Sequence, residues 1–443
     1  ATPNFVDRRS HHLLGLMLPS ARWGLKENTL AADPPIEVRK GTRFVLDGQI
    51  SVIRGTSLDV VLDWVKQHGL PEPPAPRYPW LEALDRIAAA YNTALWREGE
   101  GWGYWGFGKG QPVVPRFVSW YIQHGRRAEV VAGLQQKAAW CIAQQNPEPF
   151  NWSFDWISRP LQLVLDHPEI MLEAGNRLLE LQKADGAFVY DPEGVHKTKL
   201  AEWAAYWRPL GQPGDTAVDL NATAAAALLI AGSQTGEERF LEAARRALDV
   251  ALPFERPEGG DWWETPFHSP NLYAAGNAAI AYYLGYRQFG DARYLEKAIR
   301  WMRCVIPFTH LWEPADIPMV YNTKPCFNST CWYLSNWTWK HVQWEILQTF
   351  ANMERLGIDW VQVDPEIDWA TYQRGVTVAV QRWMIDHNDP GWMFLCEYPE
   401  RASGGAWDTL FVDTFDPVNP AYGGGPIGPQ LFAENVLIAL KRV

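Results

Sequence analysis

The chain has little cysteine: five residues in 443, at Cys141, Cys304, Cys326, Cys331 and Cys396, irregularly spaced and without a C-x-x-C pair. That excludes a small disulfide-built scaffold, and only Cys326 and Cys331 are close enough to pair across a loop. The ten histidines form no H-x-x-x-H pair, so no metal is expected. No apolar run reaches the ~18 residues of a membrane span. No Lys/Arg run is present, and 40 basic against 51 acidic residues give a net charge of −11. Such a chain lacks the basic face that neutralises phosphates, which argues against nucleic acid and anionic membrane as partners. There is no P-loop, no G-x-S-x-G, and no G-x-G-x-x-G following a strand, so no cofactor is expected. The Gly-rich GWGYWGFGKG (101–110) interleaves aromatics and has no Ser or Thr after Lys109, unlike a phosphate cradle. With 47% hydrophobic and 21% charged residues, what remains is a globular protein with ample core.

Tryptophan is abundant: 25, beside 16 Tyr and 18 Phe. Indole is costly to bury whole because its N–H needs a partner, so a chain this rich in it exposes some rings in a groove. Flat aromatic faces stack on the C–H faces of sugar rings, which points to a polysaccharide or oligosaccharide partner.

Residues 1–35 carry Pro3, Pro19, Pro34 and Pro35 without periodicity and read as an arm. Residues 36–55 alternate β-branched residues around Asp47-Gly48, a hairpin signal. A short helix over about 57–68 and a proline cluster at 70–79 follow, so the expected division is 1–79, arm with β-hairpin and linker, and 80–443, the catalytic body. From residue 80 apolar residues recur at three and four, as in 81–96, 127–143, 168–182 and 218–234, and strand-like alternation almost vanishes. Segments 221–254 and 276–308 repeat a small-residue helix, a Gly-acidic turn, an aromatic-Leu-Glu helix and a Pro-Phe exit; Phe240 matches Tyr294, a period of 54, and 124–142 reads as a third copy. Stacked helix hairpins of this kind bury their faces against each other as a solenoid or a closed ring. About thirteen helices after residue 80 predict six or seven hairpins: an all-α (α/α)6-7 toroid. The first residue is Ala1 without Met, as in a protein whose signal peptide has been removed, so a secreted or periplasmic location is expected.

Loops at one end of a toroid collect unusual residues because the helices are committed to packing. Four are dense in polar and aromatic groups, at 98–116, 146–160, 258–273 and 310–341, and a fifth, 396–417, is Gly-rich and acidic. In the third, His268 precedes Ser269-Pro270, read as a cap and first-turn proline of a helix from Asn271, with Asp261, Glu264 and Tyr273 close in sequence. The long 310–341 loop interleaves Tyr321, Asn322, Lys324, Asn328, Tyr333 and Asn336 with Trp337 and Trp339, as a lid or a saccharide-groove wall would.

Two chemistries suit such a groove. β-Elimination on a uronic acid polymer needs a neutraliser for the carboxylate, a base for the C5 proton and an acid for the leaving oxygen. His268 with Tyr321 or Tyr333 suits base and acid; Asn151, Glu264 or Asn271 suits the neutraliser. Arg116, Arg159 and Lys324 can hold carboxylates at neighbouring subsites, with Trp102, Trp105, Trp263, Asn322 and Trp337 as further substrate-binding candidates. Glycoside hydrolysis needs two carboxylates flanking the bond, and Asp155, Asp215, Asp219, Glu264, Glu345, Glu397 and Asp408 are available with no pair singled out by spacing. A non-catalytic carbohydrate-binding protein is the third reading.

The segment LLELQKADGAFVYDPEG (178–194) resembles the Gln-x-x-Asp-Gly-aromatic turn between helices of α/α toroids, including terpene cyclases and polysaccharide-active enzymes; DTAVD (215–219) is a poor substitute for the acid motif of a terpene cyclase. The run at 266–298 with the aromatic segment after it resembles the glucuronan and alginate lyases of polysaccharide lyase family 38. The resemblance implies an α/α barrel of about seven hairpins and a Tyr/His elimination site, falling here on His268 and on Tyr321 or Tyr333. At fold level the chain also resembles hydrolases of unsaturated uronides, in which paired Asp residues act.

Overall fold

The computed structural model describes residues 2–4, 11–13, 39–43, 45, 50–93, 95–103, 110–144, 150, 152, 157, 159–197, 211–260, 265–312, 319–326, 341–382, 411–416, 421–427 and 430–442. Its helices are α1 (Ser57–His68), α2 (Trp80–Asn92), α3 (Arg116–His124), α4 (Ala128–Gln144), α5 (Pro160–Asp166), α6 (Met171–Leu181), α7 (Val218–Thr235), α8 (Glu238–Ala251), α9 (Leu272–Phe289), α10 (Ala292–Arg303), α11 (Trp344–Arg355), α12 (Trp360–Val363), α13 (Trp369–Gln381) and α14 (Gln430–Leu440).

Small residues decide which helices go inside. In α7 every residue from Val218 to Gly232 is buried, and α9 is buried almost throughout from Leu272 to Tyr282. Such helices have no wet face and must be covered on all sides. Their partners α8 and α10 are amphipathic, burying Phe240, Leu241, Ala244, Ala247 and Leu248 in one and Tyr294, Ala298, Trp301 and Met302 in the other. Gly236 (φ 77°) and Gly290 (φ 69°) close α7 and α9 in the left-handed conformation and turn the chain into the outer helix. The 54-residue repeat is therefore two successive hairpins, α7/α8 and α9/α10.

The inner helices stand side by side: α5 on α7, α7 on α9, α9 on α11, α11 on α14, and α14 on α2 and α3. Arg116 of α3 donates to the Leu165 carbonyl of α5 (2.6 Å), which completes the circuit. The result is an α/α toroid. The C-terminal ends of α5 and α11 are tied by Arg355, which pairs with Asp166 (3.0 Å) and with Glu434 of α14 (3.0 Å), and Gln348 bonds Gln162 across the same helices. The opposite ends, where α5, α7, α9 and α11 begin, share bonds among the connections. Asp219 N–H donates to the Glu258 carbonyl, Asn271 N–H to the Pro257 carbonyl and Leu272 N–H to the Pro325 carbonyl, while Arg159 lies over Trp344 and Trp344 packs on Tyr273.

The short helix after the arm forms as expected, α1 being started by a capping box between Thr56 and Asp59. The 70–79 segment lies against α13, with the Tyr78 backbone bonded to Gln381 and Glu72 paired with Arg374. The expected hairpin does not hold at its flanks: described residues 40–43, 45 and 50–53 are not strand, and Asp47-Gly48 lies outside the described residues. Ile50 and Val52 are exposed there, and β-branched alternation with nothing to cover it makes no sheet. Short antiparallel pairing occurs elsewhere. In the arm, β1 (Thr2–Asn4) pairs with β2 (His11–Leu13). Contrary to the expected near absence of strands after residue 80, the connections hold two three-stranded sheets. One is β3 (Trp96–Arg97), β4 (Gly101–Gly103) and β5 (Gly110–Gln111); the other is β6 (His341–Val342), β7 (Phe411–Asp416) and β8 (Ala421–Ile427). β3 to β6, of two or three residues, are too short to show alternation, while β7 and β8 are longer but their sequences FVDTFD and AYGGGPI do not alternate apolar with polar.

Candidate functional site

At the end where α7 and α9 begin, the connection from α8 to α9 folds back on itself: Gly259 takes φ 92°, and Glu258 bridges Pro270 in antiparallel fashion. The cap differs from the sequence expectation. α9 starts at Leu272, and Asn271 is its N-cap, accepting from Ala274 N–H at 2.9 Å, while Pro270 belongs to the bridge. The fold-back sets His268 between two carboxylates. Nδ1 lies 3.1 Å from Glu258 Oε2 and Nε2 lies 3.2 Å from Asp215 Oδ2. The His268 side chain is 52% exposed, Asp215 28% and Glu258 6%, and Arg256 meets Glu258 at 2.5 Å. Asp215 sits in a turn completed by Gly214 (φ 90°), its other contacts being with the Gln212 backbone and, through its own carbonyl, Tyr190 N–H. An aromatic ladder backs the histidine: Phe267 meets His268 edge-on at 5.0 Å and stacks on Tyr190 at 5.1 Å, which in turn faces His196.

Beside α9, the backbone pairs Thr309 with Thr323 and Asn271 with Cys326. This brings half-buried Lys324 and His310 beside buried His341, the two imidazoles 5.8 Å apart. Burial pushes the Lys324 ammonium down to about 8. It also drives His341 well below the usual imidazole range, and the neighbouring Lys324 and His310 charges add to that shift. Glu345, at the start of α11, is buried as well. Inside the ring wall, Asn277 of α9 donates to Asp219 of α7.

Of the residues named from sequence, His268 and Lys324 occupy this end of the ring, and Arg159 stands beside Trp344 at the start of α11. Asn322 is buried next to Lys324, its carbonyl accepting from His310 N–H. Others have structural work instead. Tyr321 is fully buried at a φ of 65°, packed on Gly375, with its hydroxyl donating to the Pro71 carbonyl, and desolvation raises that hydroxyl far above an ordinary phenol. It is therefore not the proton donor of an exposed site. Trp102 is buried with its indole N–H on the Tyr91 carbonyl, so it offers no stacking face. Arg116 is spent on the C-terminal end of α5, away from the end where α5 begins, and Asn271 is the cap of α9. Tyr333, Glu264, Asn151, Trp105, Trp263 and Trp337 lie outside the described residues.

Sequence reading missed Glu258, His310 and His341. Glu258 stands ten residues before His268 ahead of a Gly-Gly turn, a fold-back signal, and the two histidines bracket the 310–341 segment. Cys326 is disulfide-bonded, its partner lying outside the described residues, while Cys141 and Cys304 are free. Among the described residues no group of three or more His, Cys, Asp or Glu side chains is arranged to hold a metal ion, and no helix is long and apolar enough to cross a membrane.

No family model matches this chain, and no curated protein does. Solved structures similar to it include a D-mannose isomerase (14% identity, 83% of this chain and all of that one, TM-score 0.43). They also include an inactive alpha-1,6-mannanase variant of Salegentibacter sp. HEL1_6 with alpha-1,6-mannotetrose (11%, 82% and 98%, 0.44). A third is an unsaturated glucuronyl hydrolase of Streptococcus agalactiae (10%, 89% and 98%, 0.41). At these identities and scores the likenesses bear on neither the substrate nor the reaction of this chain.

Proposed function

We propose that this chain is a carbohydrate-active enzyme that cleaves a uronic-acid-containing polysaccharide by β-elimination, with His268 as the proton-transfer group. The observation that carries the reading is the half-exposed His268 held through both ring nitrogens by Glu258 and Asp215 at the end of the ring where the inner helices begin. A carboxylate on an imidazole N–H fixes the ring's tautomer and orientation, the arrangement that proton transfer needs. In the reaction the base takes the C5 proton of the uronate, the electron pair forms the C4–C5 double bond, and the C4–O bond breaks with a proton delivered to the leaving oxygen. The half-buried Lys324 beside His310 and His341 suits the substrate carboxylate, whose charge grows as C5 loses its proton. With Tyr321 committed to Pro71, Tyr333 is the tyrosine proposed as acid. The resemblance to glucuronan and alginate lyases supports the choice of a uronic polymer.

Hydrolysis is the second reading, favoured by the two carboxylates set on either side of the His268 ring. The deciding experiment incubates the protein with glucuronan, alginate and pectate while following the ultraviolet band of a 4,5-unsaturated uronide and, in parallel, new reducing ends. A rise in absorbance that His268→Ala abolishes supports elimination; reducing ends without absorbance establish hydrolysis; neither signal with retained polymer binding leaves a carbohydrate-binding protein. A secreted or periplasmic location is proposed with it, since a disulfide such as that of Cys326 persists in oxidising compartments.

A further inference from the structure

We infer that Glu258 is the positioning residue of this site: it holds the Nδ1 proton of His268 and confines acid–base exchange to Nε2, the nitrogen facing Asp215. This rests on the reading of His268 as the proton-transfer group. The asymmetry of the two carboxylates supports it. Glu258 is 6% exposed against 28% for Asp215, and its other oxygen is paired with Arg256, so it stays an acceptor and obliges Nδ1 to be the donor. Its backbone is stitched to the ring as well: the Glu258 carbonyl accepts Asp219 N–H from the first turn of α7, and the neighbouring Pro257 carbonyl accepts Asn271 N–H at the cap of α9. Asp215, on a solvent-facing turn, has no such anchorage from an inner helix. With Nδ1–H fixed, the proton between Nε2 and Asp215 Oδ2 (3.2 Å) is the mobile one. Imidazolium beside Asp215 carboxylate satisfies both atoms; neutral imidazole there presents its lone pair to Asp215 and takes a proton from whatever displaces that carboxylate. The same geometry assigns Asp215 as the group an incoming substrate must push aside.

The test is nitrogen NMR of histidine-labelled full-length protein, with the His268 signals assigned by their loss in His268→Gln. The expected result is an Nδ1 that stays protonated on both sides of the imidazole titration while Nε2 changes. Glu258→Gln should mix the two tautomers, and on whichever polymer is cleaved it should lower kcat by roughly 100-fold with KM within about twofold. Arg256→Gln, at a side chain 66% exposed, keeps the fold and removes the second partner of the Glu258 carboxylate, so the His268 Nδ1 signal should shift. An unchanged tautomer in Glu258→Gln, or unchanged His268 signals in Arg256→Gln should the first variant not fold, overturns the assignment. Because the spectra need no substrate, failure of every polymer to react would count against the lyase reading, while the tautomer alone decides the role of Glu258.

Discussion

Asn277 Nδ2 donates to Asp219 Oδ1 across 3.0 Å, both side chains buried where α7 meets α9. A carboxylate inside a wall of alanines is tolerated only with its donors in place. Asn277→Leu should therefore cost about 2–4 kcal/mol in urea denaturation, whereas Asp219→Asn, which keeps a hydrogen-bonding group and removes the charge, should cost less. Equal losses would mean that the pair is not what satisfies Asp219.

The hydroxyl of Tyr321 serves the 70–79 segment. Tyr321→Phe should lower stability by about 1 kcal/mol and leave turnover unchanged. Gly375→Ala, whose new methyl would fall within 2.6 Å of the same ring, should be worse because neither the ring nor the helix backbone can retreat. A collapse of turnover in a stably folded Tyr321→Phe would return that tyrosine to the acid role.

Burial holds the imidazole of His196 down to about 4, against 6.5 in the unfolded chain. Its Nδ1 accepts Asp191 N–H, which neutral histidine permits and doubly protonated histidine forbids. Unfolded chains thus bind the extra proton first, so this contribution is whole above about pH 6.5 and is lost as pH falls toward 4. The lost contribution is about 3 kcal/mol. The unfolding free energy of His196→Gln should accordingly fall less steeply between pH 7 and 4 than that of the unmodified chain.

In Lys324 stability is set against the binding role proposed for it. Folding depresses its ammonium to about 8 by burial, so charging it at neutral pH opposes folding, and that opposition fades as pH rises toward 10.5. Lys324→Met should raise the melting temperature at pH 7, with the gain shrinking at pH 10, and should weaken binding of uronate polymers more than of neutral ones. A variant that is less stable at pH 7 would show that the amine's own contacts outweigh its desolvation.

The ring is readable in the sequence because small-residue helices and their amphipathic partners recur at a fixed period, and Phe240 and Tyr294 do occupy equivalent outer helices. The hairpin signal at Asp47-Gly48 itself lies outside the described residues; its described flanks are not strand, with Ile50 and Val52 exposed, and the small antiparallel pair of the arm is β1 with β2. Single site residues are harder. Tyr321, Trp102 and Arg116 have the chemistry of binding residues, and only the partners Pro71, Tyr91 and Leu165, 250, 11 and 49 residues away, reveal that each is tied to a carbonyl. Glu258 escapes notice for the converse reason, a lone acid in a loop that gains meaning when Pro270 folds back beside it.

Ring closure by α14 carries a consequence for how the chain folds. Residues 430–440 pack on α11, α13, α2 and α3, and Asn435 fills bonding positions offered by the Leu347 carbonyl and Gln373. α2 and α11 both pack on this helix, which stands between them in the ring. The ring therefore depends on contacts between segments some 350 residues apart, the long-range kind that forms slowly and leaves an unfinished edge open to association with other chains. Deletion of residues 430–440 should therefore be far more damaging to yield than removal of the same length from the arm.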